Sequence, residues 1–117
     1  MAGYNASLCK TVAKGGVGES GASSLVHHQV TGSREVVMVV RTTETSLCGN
    51  TGAVAVLVVN GQSIDHGIIT DKGATIQANA KPGDNVFALV HTIPLFNEIA
   101  CVRLGELDFE LQQCDLE

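Results

Sequence analysis

A chain of 117 residues makes one domain that can bury on the order of two-thirds of its unfolded surface, so neither a metal nor a disulfide is required for folding. A net charge of −5, with only 7 basic residues scattered along the chain, excludes the cationic stripe that nucleic acid needs. With no Trp, one Tyr and three Phe, stacking platforms for single strands or flat sugar faces are missing, and the longest apolar run, AVAVLVV, is far shorter than the roughly 20 residues of a membrane span.

The apolar share of 44% comes mainly from Val, Ala, Leu and Ile, and Gly is raised to 13 residues. Together these point to an all-β domain with tight turns. In chain order, a first strand is expected around Leu8 to Val12. It is followed by a Gly/Ser-rich connection over 13–24 and by strands at 24–30, 35–43, 53–59, 62–70, 74–80, 86–93, 98–104 and 107–113. Turn chemistry separates them: Thr31-Gly32-Ser33, Gly49 to Gly52, Asn60-Gly61, Asp71-Lys72-Gly73, Lys81 to Asn85 and Gly105-Glu106. Short strands at this spacing predict an antiparallel β-sandwich or jelly roll of eight to nine strands over residues 1–117, with a closed β-barrel as the alternative. Leu116-Glu117 matches the junction that precedes an affinity tag.

The stretch Lys14-Gly15-Gly16-Val17-Gly18-Glu19-Ser20 resembles the phosphate loop of partition-type P-loop ATPases. Glu19 stands where that family carries its lysine, and in the register Gly16 to Ser23 the lysine place is taken by Ala22. A carboxylate or a methyl group there cannot attract a phosphate, and no strand-helix alternation surrounds the loop. The stretch therefore reads as a connection.

Asn60-Gly61 is the strongest hairpin signal in the chain. Propagating its register pairs Leu57 with Ile64, Ala55 with His66 and Ala53 with Ile68. Carried through the next two turns as a meander, it places Ile68 opposite Ile76, His66 opposite Ala78 and Ala88 beside Ala78. The resulting core face comprises Ala53, Ala55, Leu57, Val59, Ile64, Ile68, Ile76, Ala78, Ala80, Val86, Ala88 and Val90. It carries one imidazole, His66, among alanines. The opposite face sets Asp65, Gln77 and Asn79 between the apolar flanks Val54, Val56, Val58 and Phe87, Leu89. A face so apolar calls for cover by other strands or by a second subunit.

Catalytic signals are few. His27 and His28 alternate faces, Ser63, Asp65 and His66 are neighbours on one strand and cannot converge, and nothing local pairs a cysteine with a histidine. Cys9, Cys48, Cys101 and Cys114 lack the close spacing of a zinc site and allow two disulfides or free thiols. No cofactor is expected. Calcium is the one ion whose oxygens the loops could supply, through Asp71, Asp84, Asn85 and Asn50. The acidic row Glu106, Asp108 and Glu110 reads as a solvated edge strand.

These features predict a non-catalytic recognition or assembly module that forms a homo-oligomer. Its ligand would be a carbohydrate or similar polar molecule held by Asp65, Gln77, Asn79 and His66. The alternatives are a structural subunit of a self-assembling shell, tail or surface complex, and a small enzyme built on His66 or a Cys/His pair.

Overall fold

The computed structural model describes residues 3–17, 22–42, 51–69, 73–94 and 107–116. Among them it forms eight strands: β1 (Tyr4–Val17), β2 (Ser23–Gln29), β3 (Val36–Thr42), β4 (Thr51–Val59), β5 (Gln62–Ile69), β6 (Thr75–Ala80), β7 (Asn85–Pro94) and β8 (Leu107–Leu116). They make two antiparallel sheets, sheet A in the order β1-β8-β3-β6 and sheet B in the order β2-β7-β4-β5. The pairs β1–β8, β2–β7, β3–β6 and β4–β5 alternate between the sheets. That is a chain folded once about Asn60-Gly61 and then wound around itself, a jelly-roll β-sandwich, and the sheets do not close into a barrel. The strand expected at 98–104, and Cys48 and Cys101, lie outside the described residues.

Inward residues follow from period-2 alternation. Val36, Met38 and Val40 of β3 and Leu107, Phe109 and Leu111 of β8 meet Ala53, Ala55 and Leu57 of β4 and Val86, Ala88 and Val90 of β7 in one core. Burying a side chain the size of Leu or Phe contributes about 1.5–3 kcal/mol. Small alanines on β4 and β7 of sheet B face the bulky Met38 and Phe109 of sheet A, so the layers interdigitate.

The expected meander is corrected. The hairpin at Asn60-Gly61 forms, with both residues at positive φ (51° and 83°) as a type I′ turn requires. Beyond it, however, β6 pairs with β3 and β7 pairs with β4 and β2, so β5, β6 and β7 are not consecutive neighbours. Alternation specifies which residues face inward but not which strand lies beside which. A turn the length of Lys81 to Asn85 can join neighbours in one sheet or cross between two. Here it crosses, and it is tied to the hairpin by Asn60 N–H to Asn85 O (2.8 Å) and Asn85 N–H to Asn60 Oδ1 (2.9 Å).

A second correction lies inside the hairpin. Val58 pairs with Ser63, but Leu57 pairs with Asp65, so Ile64 is an extra residue in β5. From there on the strand is shifted by one, and every side chain changes face. Ile69 is buried in place of Ile68, which is 75% exposed, and His66 faces solvent. The shift also brings Gly67 against the Ile76 methyl, where a Cβ would stand 3.0 Å away. The expected row of His66 between alanines does not exist.

The Gly-rich stretch is also reassigned. Residues 13–17 continue β1 and residues 23–24 begin β2, while 18–21 lie outside the described residues. Gly15 and Gly16 pair with Phe109 and Asp108. They serve close approach, because a Cβ on Gly15 would sit 2.6 Å from the Phe109 ring and one on Gly16 2.7 Å from an Asp108 carboxylate oxygen.

Finally, β8 is not an edge. It runs between β1 and β3, with Asp108 exposed and Glu110 on the outer face of sheet A, where the Lys14 ammonium lies 3.8 Å from the Glu110 carboxylate. Cys9 and Cys114 sit directly opposite each other on β1 and β8 and form a disulfide. It packs with Val37, Val39, Tyr4 and Leu116 in a second, smaller cluster on that outer face.

Candidate functional site

The four residues expected to hold a polar ligand are not brought to one place. Asp65, on the edge strand of sheet B, turns into the seam between the sheets. Its Oδ2 accepts the Gln77 backbone N–H at 3.0 Å and its Oδ1 accepts the His66 N–H at 2.8 Å. Gln77 and Asn79 alternate outward from Ile76, Ala78 and Ala80 onto the outer face of sheet A, where Asn79 Nδ2 donates to Glu35 Oε1 at 3.1 Å. His66 points from sheet B in the opposite direction. A carboxylate in a seam and carboxamides on one surface cannot share a small ligand with an imidazole on another.

The loop oxygens considered for calcium are also committed. Asp84 Oδ1 accepts Asn60 Nδ2 (2.9 Å) and Oδ2 accepts the Lys81 N–H (2.9 Å). The Lys81 amide and then Asn60 hold the Asp84 carboxyl below its ordinary value. Asp71 and Asn50 lie outside the described residues. Among the described residues no group of three His, Cys, Asp or Glu is placed to hold a metal ion.

A cleft of about 780 Å³ opens where the β2–β3 connection passes the ends of β1 and β8. Its walls include Lys10, Arg34, Glu35 and Asp115, two charges of each sign, with Leu8 and Leu116. At its base the buried amide of Gln113 is bonded: Nε2 donates to Thr31 O, and Oε1 accepts the Thr31 N–H and the His28 Nε2–H.

The outer face of sheet B is of another kind. Antiparallel register places its side chains in rows: Ser23, His91, Val54 and Ile68; then Leu25, Leu89, Val56 and His66; then His27, Phe87, Val58 and Ser63, with Ile64 beside Ser63 at the bulge. Leu25 is 61% exposed, Ile64 51% and Ile93 40%. His27 stacks on Phe87 at 4.6 Å between ring centroids, and its Nε2 lies 3.0 Å from Asn85 Oδ1. Among the described residues the face holds no Asp, Glu, Lys or Arg. The charged groups of the described residues lie on sheet A, around the cleft, in the Lys81 to Asn85 turn and, for Asp65, in the seam.

Alternation of Val54, Val56 and Val58 and of Phe87 and Leu89 made this face legible as needing cover. The contribution of β5 was missed because a single bulged residue exchanges Ser63, Asp65 and Gly67 for Ile64, His66 and Ile68. Leu25 was legible only as a strand residue, since nothing local sets β2 beside β7.

Comparison with family models, characterised proteins and solved structures finds no match to this chain. The functional reading therefore rests on the geometry. No helix among the described residues is long and apolar enough to cross a membrane.

Proposed function

We propose that the chain is an assembly subunit that docks the outer face of sheet B onto the same face of a second copy. The observation that supports this is the uncharged, branched-aliphatic surface of β2, β7, β4 and β5 with Ile68 at 75% exposure. Isolated apolar residues on a surface need no explanation, whereas a continuous four-strand patch does.

The occupant follows from charge and size. Two chains of net charge −5 repel, and this is the described surface on which they can approach without setting carboxylates against one another. A face without charge has nothing with which to select a charged partner, and it complements itself. At strand spacings near 4.8 Å and about 3.3 Å per residue, four strands by seven residues give a footprint of roughly 450 Å². Two copies would cover about 900 Å² before side-chain relief is counted, close to the roughly 1,000 Å² of a specific interface. Sheet-on-sheet packing at about 10 Å is the geometry such faces adopt. Jelly rolls build shells and lectins alike, so the fold does not choose between these roles, and the face carries the reading.

Sedimentation velocity tests it. Wild type is expected as a dimer at about 100 μM and neutral pH, Ile68→Lys and Leu25→Lys as folded monomers, and Thr75→Lys on sheet A as a dimer. A wild-type monomer, or dimers that survive both face substitutions, would remove the proposal.

A further inference from the structure

We propose that acid releases this association through His27, His66 and His91, a regulation that rests on the assembly reading above. Three of the chain's 4 histidines lie on this one face. His28, the fourth, points the other way and bonds to Gln113 at 3.0 Å.

Among the described residues no carboxylate pairs with any of these three imidazoles. His27 meets Phe87 and Asn85 of β7. His66 lies opposite Val56 of β4, and its neighbour Asp65 is turned into the seam, with its oxygens on the amides of His66 and Gln77. His91 lies between Val54 of β4 and Ser23 of β2. Asp84, in the turn that leads into β7, is held there by Lys81 and Asn60. In a pairing of like faces the partner presents the same groups, so it brings imidazoles and no carboxylate.

Between two such faces an imidazole loses water and meets apolar side chains, which penalises the charged form. Association is therefore favoured where the rings are neutral and is lost as pH falls through the imidazole range. An imidazole that ordinarily titrates near about 6.5, if fully excluded when charged, weakens association about 30-fold by pH 5. Several such rings act together.

Sedimentation equilibrium at pH 7.5, 6.5, 5.5 and 5.0, at one ionic strength and with circular dichroism to confirm folding, reads this directly. Wild type is expected to dimerise at pH 7.5 and to weaken at least about 30-fold by pH 5. The variant H27Q/H66Q/H91Q, which keeps His28, is expected to hold one dissociation constant across the range. If that triple variant does not dimerise, the three single variants replace it, and each must flatten the pH response.

A wild-type dimer indifferent to pH overturns the acid release and leaves the assembly intact. Equal weakening in wild type and variants overturns it as well, because the responding groups then lie elsewhere. A wild-type monomer at every pH overturns the assembly reading beneath it.

Discussion

The Asp65 carboxylate leaves its own sheet to accept the backbone N–H of Gln77 in the other, at 3.0 Å. Gln77 lies on β6, an edge of sheet A, and Asp65 on β5, an edge of sheet B. The bond occupies an amide on the open side of β6, and an inward-pointing charge blunts the edge of β5 against strand addition. Asp65→Ala frees two amides, and hydrogen bonds to a charged acceptor are worth about 1.5–3 kcal/mol before solvent screening. Urea unfolding of the variant is expected to show a loss of about 1–2 kcal/mol, and the proposed dimer should still form, since the residue does not lie on the proposed docking face.

Gly15 and Phe109 make a matched pair. Gly15→Ala drives a methyl into the ring and toward Ser24 Oγ, 2.9 Å from the Cβ position, with an expected cost of about 1–3 kcal/mol from overpacking. Phe109→Leu shortens the obstacle at its own cost in lost burial. The double variant is expected to be more stable than the two single losses predict by addition, and a double-mutant cycle in denaturant measures the difference.

The Cys9–Cys114 bond closes a loop with a sequence separation of 105. Cys9→Ser and Cys114→Ser are each expected to lower stability by about 2–5 kcal/mol, with similar values because each removes the same link. Thermal melts with and without reductant check this, and reductant should leave both variants unchanged if no other disulfide contributes.

Asp84 supplies a pH signature separate from that of the histidines. Its folded-state carboxyl lies below its unfolded value, because the Lys81 amide and Asn60 favour the ionised form. Its contribution is therefore complete above the unfolded carboxyl range, near about pH 4, and disappears as pH falls through the lower folded value. Asp84→Ala should be less stable than wild type at pH 6, and the difference should shrink as pH falls below the ordinary carboxyl range. Chemical denaturation at pH 6, 4 and 2.5 follows the convergence.

Two levels of the structure differ in how openly the sequence carries them. The inward positions of β4, β6, β7 and β8 are legible because alternation is local. Ala53, Ala55, Leu57, Ile76, Ala78, Val86 and Val90 are all buried as expected, and Leu107, Phe109 and Leu111, which alternate with the acidic row, are buried too. Strand neighbours are not legible, because pairing is set by contacts distant in sequence, and so a wound sandwich and a flat meander share one pattern. For the face, Val54 to Val58 and Phe87 to Leu89 announced an apolar surface. Ile64, His66 and Ile68 were hidden by the bulge, whose signature, Ile68 followed by Ile69, permits either residue to point inward. The expected ligand set is spread out for both reasons: β6 carries Gln77 and Asn79 into the other sheet, and the bulge exchanges the directions of Asp65 and His66.

The placement of the disulfide also has a mechanical consequence. Tyr4 pairs with Leu116 at one end of the β1–β8 ladder, and the bridge lies a few residues further in, at Cys9 and Cys114. Tension applied at these two strand ends would open the ladder one pair at a time, the mode in which a sheet resists least, and would stop at the covalent link. From there the load passes through sulfur, and the remaining pairs of both sheets carry none of it. A chain wired this way can be pulled by these two strand ends while the rest of the sandwich keeps its shape.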